Sequence, residues 1–178
     1  MNLTFKNLLI NLAYYLMTLV VGPYVLLKLE SALGLRRQPL PGLWHASFPM
    51  AGAGVALQVW CIVLLQIEGR GTPSPALPPS RLVVRGPYRW VRNPLNIGEL
   101  LVFLALSAGF GSLALLAYTL LAWLLFHVFV VAWEEPRHKK QFGAQFLRYA
   151  QAVNRWIPTL RRTLNDRSRD DRANKALD

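Results

Sequence analysis

Between Leu100 and Trp133 the chain runs for 34 residues without one Asp, Glu, Lys or Arg. A straight helix of that length is about 51 Å long, too long for a hydrocarbon core of about 30 Å. The run therefore has to turn, and Ser107-Ala108-Gly109-Phe110-Gly111-Ser112 supplies the breaker. This predicts a helical hairpin with arms over about 95–106 and 112–133. Two further charge-poor runs precede it. Leu8 to Leu27 is long enough to span and carries Gly22-Pro23, which is expected to kink or stagger the helix. Gln38 to Ile67 is expected to span over about 48–67, with Ala51-Gly52-Ala53-Gly54 as a small-residue surface for close packing. The expected fold class is an all-α polytopic membrane protein with four transmembrane helices.

The charge distribution orients it. A net charge of +11 on 178 residues would suit a nucleic-acid binder, but 53% hydrophobic and only 16% charged residues, with the bases outside the apolar runs, exclude a soluble one. Lys28, Arg36 and Arg37 fall between the first two helices, and the other 17 of the 20 Lys and Arg fall on the opposite side. The positive-inside rule places the N- and C-termini in the cytoplasm. We expect an integral membrane protein, bacterial-type and of the inner membrane. Its basic surface faces anionic lipid, it has no nucleic-acid partner, and its oligomeric state is left open. Only Lys6 precedes the first run and no small-residue cleavage site follows it, so that run reads as a retained anchor. Cys61, the one cysteine, excludes an intrachain disulfide and reads as a small buried hydrophobe.

Glu68 to Pro94 is a long connection with six prolines, stiff enough for an ordered lid or pocket wall. Phe142, Phe146, Tyr149, Val153 and Trp156 recur at helical spacing among basic residues. They predict an amphipathic cytoplasmic helix over about 137–156, lying on the leaflet or folded back on the bundle. One domain over 1–160 and a disordered basic tail over 161–178 complete the layout.

Three acids stand at or inside apolar boundaries: Glu99, Glu134 and Glu135. Charges at membrane depth cost several kcal/mol unless paired or hydrated, which makes them functional candidates. A solvated helix end is the plain alternative for the pair, and an ion pair with an arginine of the 85–92 stretch for Glu99. Arg85-Gly86-Pro87-Tyr88-Arg89-Trp90-Val91-Arg92-Asn93-Pro94 brings arginines and aromatics to the mouth of the hairpin, a composition that an interfacial belt shares. His45, His127 and His138 are too scattered to hold a metal, and none is expected.

The stretch Gly86-Pro87-Tyr88-Arg89-Trp90-Val91-Arg92-Asn93-Pro94-Leu95-Asn96-Ile97-Gly98 resembles the G-x-Y-R-x-x-R-[HN]-P-x-Y-x-G motif of integral membrane methyltransferases. These form the superfamily of isoprenylcysteine carboxyl methyltransferases and phospholipid N-methyltransferases. Glu134-Glu135-Pro136, Phe142-Gly143, Tyr149 and Arg155-Trp156-Ile157-Pro158 resemble its second block, so the likeness covers about 80–158. The resemblance implies S-adenosylmethionine as cofactor. It implies contacts from Ser80, Arg81, Leu82, Val83, Tyr88, Asn93, Pro94, Leu95, Asn96, Gly98 and Glu135. Glu134 and Asn93 are implied as catalytic residues, and Glu134 and Val130 fall at substrate positions; Glu99 joins them as a substrate candidate on the cost of a charge at membrane depth.

The chain departs from the family pattern in several places. Asn93 replaces a histidine, Asn96 a tyrosine, His138 a leucine and Phe146 a tyrosine. Val130 stands where the carboxyl-methylating branch has an arginine. The expected activity is therefore methyl transfer to a lipid-embedded acceptor, an amine headgroup first and a prenylated or other lipophilic carboxylate second. A nicotinamide-dependent reductase relative and a non-catalytic scaffold are the alternatives.

Overall fold

In hydrocarbon every backbone N–H and C=O must be satisfied within the segment, so long apolar runs of a single chain become helices. In a computed structural model, which describes Leu9 and residues 12–38, 42–73 and 78–159, the described residues contain helices and no strand. We number the helices α1 Leu12–Ala32, α2 Leu43–Ile67, α3 Pro94–Phe110, α4 Leu113–Phe142 and α5 Ala144–Ala152. By length and composition α1, α2 and α4 can each cross a membrane. At 17 residues α3 is about 25 Å long, short of a core of about 30 Å. It packs between α2 and α4.

The hairpin turns where the sequence breaks. Gly111 takes the left-handed conformation at φ 58°, its N–H bonded back to the carbonyls of Ser107 and Ala108. Ser112 then caps α4 by accepting from the Leu115 N–H at 3.1 Å. Glu30 of α1 reaches the same helix start and accepts from the Ala114 N–H at 3.0 Å. Arg37 lies 3.4 Å from the other Glu30 oxygen and also donates to Leu27 O and Ser31 Oγ. This polar knot closes the end of the bundle away from the motif residues.

Several expected boundaries are corrected. The predicted start of the first helix at residue 8 lies outside the described residues. The helix runs through Gly22-Pro23 and past the expected end at Leu27 to Ala32. Met17–Val21 widens into a π turn, with the Gly22 N–H reaching Met17 O, and this makes room for the proline ring. α2 begins five residues before the expected Phe48 and runs through Pro49. α4 does not stop at Trp133. A second π turn, Val130–Glu134, again stands two residues before a proline, Pro136, and the helix continues to Phe142. The expected helix over 137–156 is thus two pieces. Gly143, at φ 52°, separates the end of α4 from the nine-residue α5. α5 folds back on the bundle, burying Phe146 and Tyr149, with Val153 just beyond it, against Leu82 and Val84. The expected tail over 161–178 lies outside the described residues.

α2 and α3 meet through glycines. A Cβ on Gly54 would stand 2.6 Å from the Gly98 carbonyl oxygen, and a Cβ on Gly98 2.8 Å from that of Gly54. Backbone cannot yield as a flexible side chain does, so overpacking of about 1–3 kcal/mol is expected. Gly98→Ala should lower the thermal unfolding midpoint in detergent. Gly52→Ala, whose Cβ meets nothing within 4 Å, should leave it unchanged.

Candidate functional site

A cavity of about 520 Å³ opens between α1, α3, α4, α5 and the proline-rich connection. Its walls are set by local backbone chemistry. After α2 the chain makes a tight Gly69-Arg70-Gly71 turn, and the Gly69 carbonyl accepts from the N–H groups of Ser80 at 2.8 Å and Arg81 at 3.2 Å. Any Cβ on Gly71 would fall 2.5 Å from the Pro79 backbone. Only glycine lets the two passes lie this close, and residues 78–81 are held against the turn. Arg81, Leu82 and Val83 then line the cavity. Further on, Gly86–Arg89 forms a 3₁₀ turn entered at φ 55°, which presents Tyr88 to the cavity. The Tyr149 hydroxyl donates to the Tyr88 carbonyl at 2.7 Å. Burial pushes both phenols above their ordinary range, so Tyr149 stays a donor.

The two adjacent glutamates have different surroundings. Glu135 accepts from Arg155 Nε at 2.7 Å and Nη2 at 3.0 Å, and Arg92 Nη1 lies at 2.9 Å. That hydrogen bond raises the Arg155 guanidinium above its ordinary value. Burial pulls Arg92 down, and Glu135 opposes the fall. Glu134 lines the cavity and makes no salt bridge among the described residues, although it feels the charge of Arg137.

A strap made of residues 154–159 is bolted over this end. Arg92 N–H donates to Asn154 O at 2.8 Å, Thr159 N–H to Trp90 O at 2.7 Å, and Asn93 Nδ2 to Arg155 O at 3.1 Å. Trp156 Nε1 donates to His127 Nδ1 on α4 at 3.0 Å. Asn93 therefore joins the strap to the start of α3 while also lining the cavity.

Of the residues singled out in the sequence, the cavity gathers Arg81, Leu82, Val83, Tyr88, Asn93, Leu95, Asn96, Glu99, Val130, Glu134 and Glu135. Ser80, Pro94 and Gly98 do not line it. Ser80 is spent on Gly69, Pro94 is fully buried as the first residue of α3, and Gly98 packs on α2. Glu99 pairs with Tyr14, whose hydroxyl donates at 3.1 Å, and with none of the arginines of 85–92. Tyr14, Tyr15, Arg92, Phe129 and Trp133 also line the cavity, and sequence reasoning passed over them as site residues. An α1 tyrosine in an apolar run carries no signal of the partner it meets 85 residues later. Arg92 had one, as the second arginine of the motif. His138 faces the cavity too, its ring 5.7 Å from that of Phe142 and 5.4 Å from that of Phe146.

A family model described as phospholipid methyltransferase matches residues 44–145, which take in α2, the proline-rich connection, α3 and α4. No curated protein and no solved structure matches the chain.

Proposed function

The chain belongs to the phospholipid methyltransferase family of integral membrane methyltransferases, and on that premise we propose that it methylates the amine of a phospholipid or aminolipid headgroup with S-adenosylmethionine. The observation that carries the reading is the division of labour between the glutamates. Glu135 is held by two arginines, while its neighbour Glu134 faces the cavity without a salt bridge among the described residues.

The cavity fits the cofactor in size and chemistry. Its volume of about 520 Å³ falls within the roughly 300–1,000 Å³ usual for such ligands. Arg81 offers a cation for a carboxylate, and Tyr88 and Phe146 flat faces for a purine. Arg92 Nε is buried with no hydrogen-bond partner among the described residues, a donor left over for a ligand. The N–H groups of Leu82 and Val83 have no backbone partner among those residues and can read the edge of a base. When bound, S-adenosylmethionine supplies an electrophilic methyl on sulfur.

What remains is for this chain's residues to do. The acceptor nitrogen must lose a proton to expose its lone pair, and Glu134, a cavity carboxylate with no arginine clamped on it among the described residues, takes that proton. Asn93 keeps strap and α3 together, so the acceptor and donor walls hold their spacing. Apolar side chains of α4, among them Phe129 and Val130, exclude water from the transfer. A carboxylate acceptor would want a cation where Val130 stands, which favours the amine.

The same reading takes residues 1–160 as one domain and α3 as a fourth membrane crossing sheltered by α2 and α4. Both termini then lie in the cytoplasm of a bacterial inner membrane, with the basic surface against anionic lipid.

The test is purified protein in nanodiscs, given methyl-labelled S-adenosylmethionine and total lipid extract. Label is expected in an amine-bearing lipid. Label confined to a carboxylate ester would move the acceptor assignment, and failure to bind the cofactor would sink the reading.

A further inference from the structure

α1 lies outside residues 44–145, yet it supplies Tyr14 and Tyr15 to the cavity. Tyr14 meets an unusual partner. Its hydroxyl is 3.1 Å from one carboxylate oxygen of Glu99 and 3.3 Å from the other. Glu99 is only 3% exposed and lines the cavity. It lies six residues beyond Asn93 along α3, about 9 Å into the bundle. No Lys, Arg or His stands within 4.0 Å of it among the described residues. A carboxylate has about four lone-pair sites, and the hydroxyls of Tyr14 and Thr18, both on α1, do not fill them. An acid placed this deep without a cation is costly unless a partner arrives to pair with it. The same cavity takes apolar lining from α4, Leu125 and Phe126 among it. A ligand that satisfies both carries a positive nitrogen on an oily body.

We propose that Glu99, oriented by Tyr14, is the residue that reads the acceptor: it docks the ammonium of the lipid headgroup and so selects amine-bearing over carboxylate-bearing lipids. Glu99 determines specificity, and Tyr14 is a positioning residue that keeps the carboxylate facing the cavity. The proposal rests on the reading above, that the acceptor is a lipid amine. It adds a site contributed jointly by α3 and a helix that the family match does not reach.

Two measurements test it on the full chain in nanodiscs, comparing wild type, Glu99→Gln and Tyr14→Phe. The first is steady-state transfer to phosphatidylethanolamine. Glu99→Gln should raise KM for that lipid about tenfold or more, and Tyr14→Phe about threefold, while KM for S-adenosylmethionine stays put. The second needs no turnover. Hexadecyltrimethylammonium, which cannot accept a methyl group, is titrated without cofactor, against hexadecanol and empty nanodiscs. The cation should bind wild type about tenfold tighter than Glu99→Gln, and hexadecanol should bind both alike. The proposal is overturned if the cofactor KM moves instead, if the lipid KM is unmoved, or if the cation binds both proteins equally. Should Glu99→Gln fail to fold, Tyr14→Phe decides by the same two readouts. A wild type that binds the cation through Glu99 but labels no lipid would sink the methyl-transfer reading and leave this site standing.

Discussion

Glu134→Gln is expected to cut methyl transfer by at least about a hundredfold while leaving the protein folded and able to bind S-adenosylmethionine. The substitution keeps the shape of the side chain and removes its charge, and with it the ability to take a proton. A positioned base contributes about 10²–10⁴-fold to a reaction of this kind. The fold should tolerate it because Glu134 makes no salt bridge among the described residues, and the clamp beside it runs through Glu135. Initial rates of label transfer at saturating cofactor, with calorimetric cofactor binding on the same preparation, check both halves. A variant that keeps a third of the wild-type rate would reduce Glu134 to a charged helix end. Glu134→Asp, with the acid drawn back by one methylene, should fall between the two.

Glu135→Ala should fail differently, by loss of structure. Arg92 and Arg155 both converge on this carboxylate, within 2.9 Å and 2.7 Å. The Arg92 side chain is 13% exposed, so removing its partner leaves a largely buried charge uncompensated. Breaking a buried pair by one partner costs about 3–5 kcal/mol. Arg155 is 30% exposed and can turn to water, which favours the lower end, about 3 kcal/mol. For a chain of this size that is a fall of very roughly 6–12 °C in the unfolding midpoint. The strap over 154–159 should loosen first, and limited proteolysis near Arg155 should report it before the bundle melts. Glu135→Gln retains an acceptor and should lose less. Equal midpoints for wild type and Glu135→Ala would show that the arginines hold the strap without their anion.

Much of this arrangement was legible in the residues, for identifiable reasons. The hairpin followed from a length argument on 34 charge-free residues, and Gly111 turned where a glycine was available to adopt positive φ. Residues of both motif blocks meet in one cavity, among them Tyr88, Asn93, Glu134 and Tyr149. The helix ends were less legible. The charges from Glu134 onward end the apolar run of α4 but not the helix, which continues to Phe142. Pro23 and Pro136 each follow a π turn and stand inside a helix that continues past them. Contacts such as Ala114 with Glu30 and Glu99 with Tyr14 join residues more than 80 positions apart, and no local pattern encodes such a meeting.

The strap also dictates an order of assembly. Its bolts join Trp90, Arg92 and Asn93 to residues as late as Thr159, and the His127 lock on α4 waits for Trp156. A ribosome delivers the membrane helices well before these partners. Until Thr159 has left the exit tunnel, the bundle stands with its motif-bearing end unroofed. A message cut short before that codon would yield a chain that lacks the bond from Thr159 to Trp90.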